Sequence, residues 1–463
     1  MDREGCRVPY RPMGHLIGYA SAATIVLLAG CSPFKSEVPI VTIDTRGRAL
    51  FDEPKVAAEM VIHLDPSQST QTLGSPADFR GEIGVELIGH SSLLFKKKSY
   101  ALEIRDSSGQ RSAAPLLGLP SESDWVLHGP YTDKSLMRNY LAYALASRLH
   151  LASPRTHFVE LFIRQQAWGL AYQGVYLLVT ASGRSPEALG IATLEPSDTT
   201  GPKLSGGYVV QVDRVSRGDQ FFTLPADPMS LHRDTIIFVV PRHPAAAQRA
   251  WLASYFDSME TVLPPATSAS DPRGYSRFID VDSFADYLLL QEMLKNIDGY
   301  RFSSSIHKDR GGPLRMGPVW DFDLSSGNAS YDDGCDTDGW LIHYFTARRT
   351  AKAPPRWWRR LLKDPAFADH LRSRWRDLRS GPLATDSVLA IVDRAAVTLR
   401  HAQKRNFDRW PTLGHRIWPN CPIPGSNPRA YYKSWDDEVG HLRSWLRDRL
   451  AWMDDHVSSI AAE

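Results

Sequence analysis

The chain has 463 residues, 43% hydrophobic and 23% charged, with 54 Lys and Arg against 52 Asp and Glu, a net charge of +2. Those proportions exclude a disordered chain, a collagen and a small disulfide scaffold, and at about 150 residues per domain the length allows roughly three units. The balanced charge supplies no general argument for nucleic acid. Thirteen Trp admit carbohydrate stacking, although most Trp residues serve cores.

Arg3, Arg7 and Arg11 precede an apolar segment from Leu16 to Leu28, which ends in Leu28-Ala29-Gly30-Cys31. That order reads as a secretory leader over residues 1–30, too short for an ordinary membrane-spanning helix. The ending resembles a bacterial lipoprotein processing box, with Cys31 as the lipidated first residue. Ser32 follows with no Asp beside it, which resembles sorting to an outer membrane. The expectation is a cell-envelope protein held to the membrane through a lipid anchor. In the mature chain Cys335 and Cys421 remain. They allow a single disulfide in an oxidising compartment, but their spacing cannot show that they meet. Without paired C-x-x-C motifs, no structural zinc site is expected.

Short alternating runs predict strands at Val38 to Ile43, Ala58 to Leu64, Ile83 to Ile88 and Ser99 to Ile104. Leu136, Tyr140, Tyr143, Ala144 and Leu145 recur at helical spacing, predicting a helix over Asp133 to Leu149 with Asp133 as its cap. Strands return at Phe158 to Arg164, Gly174 to Val179 and Gly207 to Val212. A helix is predicted from Val281 to Lys295, then strands at Ser304 to Lys308 and Leu314 to Trp320. From about Pro355 the chain reads as mostly helical, anchored by Trp357, Leu361, Leu362, Leu371 and Trp375.

The chemical signal lies between Asn296 and Asn328. Asn296-Ile297-Asp298-Gly299-Tyr300-Arg301 closes a helix with a polar turn, and two strands later comes Trp320-Asp321-Phe322-Asp323. Helix, acidic turn, hairpin, acidic turn can bring two carboxylate sites together. One would then hold a divalent cation while the other accepts a proton. Asp-x-Asp after a strand also occurs in calcium sites, in glycosidases and in plain turns, so the spacing leaves these open.

Several motifs in one order carry a resemblance. Lys97-Lys98-Ser99-Tyr100, Asp124-Trp125-Val126-Leu127, Tyr131 to Asn139, Tyr172 to Leu177, Gly206-Gly207-Tyr208, Asn296 to Arg301 and Trp320 to Asp323 together resemble the CotH kinase family, atypical proteins named for a spore-coat component. The resemblance implies an α+β, bilobal, protein-kinase-like fold over residues 31–350 and a helical C-terminal extension over 351–463. It implies phosphate transfer from ATP, with Mg2+, to protein Ser or Thr hydroxyls of a cell-envelope or secreted acceptor. By motif, Asp298 matches the catalytic Asp, while Asp321 and Asp323 match the metal-binding pair. Lys98, Arg138 and Arg301 are the cations that would contact phosphate. Three departures stand out: Ser303 where many members have a metal-binding Asn, Val179-Thr180-Ala181-Ser182 in place of a Glu-containing stretch, and Ile88-Gly89 in place of Arg-Gly. The competing expectation is an inactive surface-binding lipoprotein that reads sugars or a protein through Trp340, Trp410, Trp418 and Trp435.

Overall fold

The computed structural model describes residues 34–164, 169–181, 185–224, 233–263, 274–347 and 353–461. The expected leader, residues 1–30, and Cys31 lie outside them. Residues Lys35–Glu463 pack as one compact unit.

Strands β1 (Ile40–Asp44), β2 (Val56–His63), β3 (Ala77–Ile88), β4 (Ser99–Arg105), β5 (Asp124–His128), β6 (Thr156–Arg164) and β7 (Leu170–Thr180) close into a barrel, in the order β1-β2-β3-β4-β5-β7-β6. Helix α1 (Arg138–Arg148) lies between β5 and β6 in the chain. Alternation along each strand sends Val41, Ile43, Met60, Ile83, Leu102 and Leu161 into one apolar cluster within the barrel.

Beyond the short α2 (Pro186–Leu189), a second, antiparallel sheet follows. Strands β8 (Tyr208–Val212), β9 (Phe221–Thr223), β10 (Thr235–Val240), β11 (Ser304–Lys308) and β12 (Leu314–Met316) run in the order β12-β11-β8-β10-β9. Helices α3 (Ala246–Val262) and α4 (Val281–Leu294) separate β10 from β11. Then come α5 (Leu341–Thr346), α6 (Arg356–Leu362), α7 (Pro365–Arg379), α8 (Thr385–Leu399), α9 (Ala402–Arg409) and α10 (Trp435–His456). Helix α4 is apolar nearly all round and buried from Ser283 to Leu294, as a central core helix must be. Residues of α1, α4, α6–α8 and α10 share its cluster.

The expected bilobal, protein-kinase-like fold is overturned by this architecture. The finding that decides it is the parallel pairing of β1 with β6, Ile40 opposite Glu160 through Asp44 opposite Arg164, which leaves the first sheet without an edge. Pairing between segments so far apart in sequence leaves no trace in short-range alternation. Helix α1 also begins later than expected. Its cap is Met137, and Asp133 instead accepts the Arg138 backbone N–H at 2.8 Å from a turn ahead of the helix. Strand β12 stops at Met316 rather than Trp320, because Gly317 turns the chain at φ +105.

Candidate functional site

Asp280 caps α4 by accepting from Ser283 N, and Lys295 ends the helix in the left-handed region at φ 45. Lys295 is held there by donation from Nζ to the carbonyls of Asp336 and Asp338. The chain leaves α4 through Asn296, whose side chain reaches the Asp321 carbonyl at 3.2 Å and ties the two acidic turns together. Asp298 follows. Its carbonyl accepts from Arg301 N and Phe302 N.

The Asp321 turn is held from α1. Asp321, at φ +67, donates its backbone N–H to Tyr143 Oη at 3.3 Å, and Phe322 N donates to Asn139 Oδ1 at 2.6 Å. Asn139 and Tyr143 are four residues apart, so one helix face grips the turn. With its carbonyl so engaged, the Asn139 amide donates to His128 Nε2 at 3.1 Å, leaving the imidazole neutral with its proton on Nδ1. Burial likewise pulls the His128 pKa down. Asp323 accepts from Thr132 Oγ1 at 3.3 Å, and its carbonyl accepts from Asn328 Nδ2 at 2.6 Å.

Asp298, Asp321 and Asp323 all line one cleft of about 420 Å3, together with His128 and Asn139. Two larger cavities, about 530 Å3 beside His307 and about 640 Å3 beside the Cys335–Cys421 disulfide, contain none of these three carboxylates. Burial pushes the Asp298 carboxyl up to about 6, against the pull of Arg301 and with a further push from Asp321. Burial and the neighbouring Asp323 hold Asp321 well above the usual carboxylate range, and burial raises Asp323 too. Two adjacent, half-buried carboxylates that resist ionisation suit a hard divalent cation, which would neutralise both. Among the described residues no group of three or more His, Cys, Asp or Glu is arranged to hold a metal. A cation on Asp321 and Asp323 would therefore draw its other ligands from water and phosphate oxygens.

None of the three expected cations lines the cleft, although Arg301 pairs with Asp298, which does. Lys98 Nζ donates to the nearby Leu93 carbonyl, away from the cleft lining. Its neighbour Lys97 is fully buried, donating to Asn406 Oδ1 at 2.8 Å. Arg138 pairs with Asp133 and donates to the carbonyls of Ser325 and Ser326, so it braces the segment after Asp323. Arg301 pairs with Asp332 at 3.0 Å and Asp298 at 3.5 Å. Sequence reasoning missed Asp213 and Arg214, which follow β8 and line the cleft. The available signal was an Asp-Arg pair directly after a strand pattern. Asp213 Oδ2 accepts from Ser303 N at 3.2 Å, placing a carboxylate beside the residue that departs from the family pattern.

Of the four Trp expected on an aromatic surface, Trp340, Trp410 and Trp435 are buried. Trp418 is 49% exposed, lines the cleft and stacks on Tyr331 with ring centroids 5.9 Å apart. Cys335 and Cys421 form a disulfide.

Comparison with known proteins places this geometry in context. The family described as CotH kinase protein matches residues 79–453. No curated protein matches the chain.

Proposed function

The chain belongs to the CotH kinase protein family, and from that membership we propose that it is an exported, lipid-anchored phosphotransferase, moving the γ-phosphoryl group of ATP to a hydroxyl of an envelope or secreted protein. The observation that carries the reading is the meeting of Asp298 with the Asp321–Asp323 pair in one cleft, across turns joined by Asn296. Asp298 would accept the acceptor hydroxyl's proton as the new O–P bond forms and the bond to the ADP oxygen breaks. Asp321 and Asp323 would hold Mg2+, which supplies charge neutralisation for the phosphate oxygens. The disulfide suits an oxidising compartment, and the Leu28-Ala29-Gly30-Cys31 ending supports lipidation at Cys31 and an outer-membrane location.

The test is thermal unfolding of the chain from Ser32 onward with Mg2+, ATP or both, beside Asp321→Ala. Because a ligand that binds only the folded state raises the melting temperature, both together should raise it in the wild type and not in the variant. No shift at millimolar ligand would sink the ATP reading. The rival surface-binding reading expects indifference to Asp321→Ala and a loss of partner binding in Trp418→Ala.

A further inference from the structure

The cleft presents Asp213, Asp298, Asp321 and Asp323. A polyphosphate entering that field meets repulsion even beside one divalent cation, so a fixed positive group is needed to hold it. Arg138 and Arg301 are committed to carboxylates and carbonyls, and Lys98 to a carbonyl outside the lining. Among the described residues, Arg214 is the sole Lys or Arg that lines the cleft. It is exposed and makes no direct ion pair with any described residue.

We propose that Arg214 is the residue that grips the anionic phosphate chain of the ligand in this cleft. The inference rests on the phosphotransferase reading and deepens it. One contact fixes the Arg214 backbone and a second orients its side chain. The Arg214 backbone N–H donates to Asp213 Oδ1 at 2.8 Å, fixing the chain where it leaves β8. The guanidinium lies 4.1 Å from the centre of the Phe302 ring, and Phe302 N is itself tied to the Asp298 carbonyl at 2.8 Å. A guanidinium stacked on an aromatic face keeps its N–H edge free, and that fork fits two phosphate oxygens at once. Arg214 thus follows β8 and leans through Phe302 on the segment that carries Asp298. Its place beside the proposed proton acceptor suits the terminal phosphates rather than the base or sugar.

The experiment is calorimetric titration, in Mg2+ throughout, of wild type, Arg214→Ala and Arg214→Lys with ATP, adenosine and inorganic tripolyphosphate. Loss of a charge-assisted contact should weaken ATP and tripolyphosphate by about 10- to 100-fold in Arg214→Ala. Adenosine affinity should stay unchanged, and Arg214→Lys should recover part of the loss. Equal ATP affinity in wild type and Arg214→Ala overturns the proposal, as does an equal loss for adenosine. Wild type that binds tripolyphosphate through Arg214 but not ATP would support Arg214 while overturning the ATP reading. Wild type that binds neither overturns both.

Discussion

Asp321 concentrates the conflict between stability and function in one side chain. Its backbone sits in the left-handed region, and its half-buried carboxyl faces Asp323. Both conditions disfavour the folded state unless something at the site repays them. Because its folded-state pKa is raised, the stability it contributes is complete below the unfolded value of about 3.9 and is lost as pH rises through the folded value. At pH 8 without metal the carboxylate is therefore a liability. Asp321→Asn should then stabilise the chain, on the order of 1 kcal/mol or about 2 °C, in calorimetry with chelator present. The gain should fade as pH falls below 4, and Mg2+ should stabilise the wild type but not the variant. A gain at pH 4 that is absent at pH 8 would show the cause to be something other than buried charge. Asp298, pushed up to about 6, follows the same sign, its contribution being lost as pH rises from the unfolded value of about 3.9 to about 6.

At the scale of elements, α1 matters more to the site than its own sequence pattern suggests. Asn139 and Tyr143 hold the Asp321 turn, and Asn139 also closes onto His128 at the end of β5. Asn139→Ala would strip a buried N–H of its acceptor and the imidazole of its donor. The expected cost is about 1–3 kcal/mol in denaturant unfolding. If the turn positions the metal pair, the Mg2+-dependent ATP stabilisation should shrink by more than the stability loss accounts for. An unchanged ligand shift would leave Asn139 a merely structural residue. Much of this level was legible in the sequence. Helix α4 and its polar turn followed from periodicity and the Asn296–Arg301 run, and the acidic turn from Asp321 and Asp323. The Asp213–Arg214 pair was visible after its strand pattern, but its place in the cleft was not, because only the β8–β11 pairing brings it beside Ser303. The partners of the expected cations were hidden for a related reason. A Lys or Arg near a motif has no sequence signal for which carbonyl it will reach, and Lys98 found Leu93.

At the scale of the whole molecule, the strands of the barrel were readable from alternation, but their closure was not, since the β1–β6 pairing is made over more than a hundred residues. The same is true of the tie between the last helix and the site. Arg449 on α10 and Glu292 on α4 are both wholly buried and joined at 3.2 Å. Glu292 also accepts from Leu341 N and Ile342 N at the start of α5 and from Tyr300 Oη, two residues past Asp298. Arg449 adds donations to the carbonyls of Glu292, Thr337 and Gly339. The helix nearest the C-terminus thus reaches the acidic turn through one carboxylate. Removing one partner of such a pair strands a buried charge, at about 3–5 kcal/mol. Arg449→Met should therefore lower the melting temperature steeply. Glu292→Gln in the same chain should restore part of the loss, because an amide can keep the Tyr300 contact without a charge to strand. A double-mutant cycle read by denaturant unfolding measures the coupling. Additive losses would mean that Arg449 acts through its carbonyl contacts alone and that α10 packs on α4 without governing Glu292.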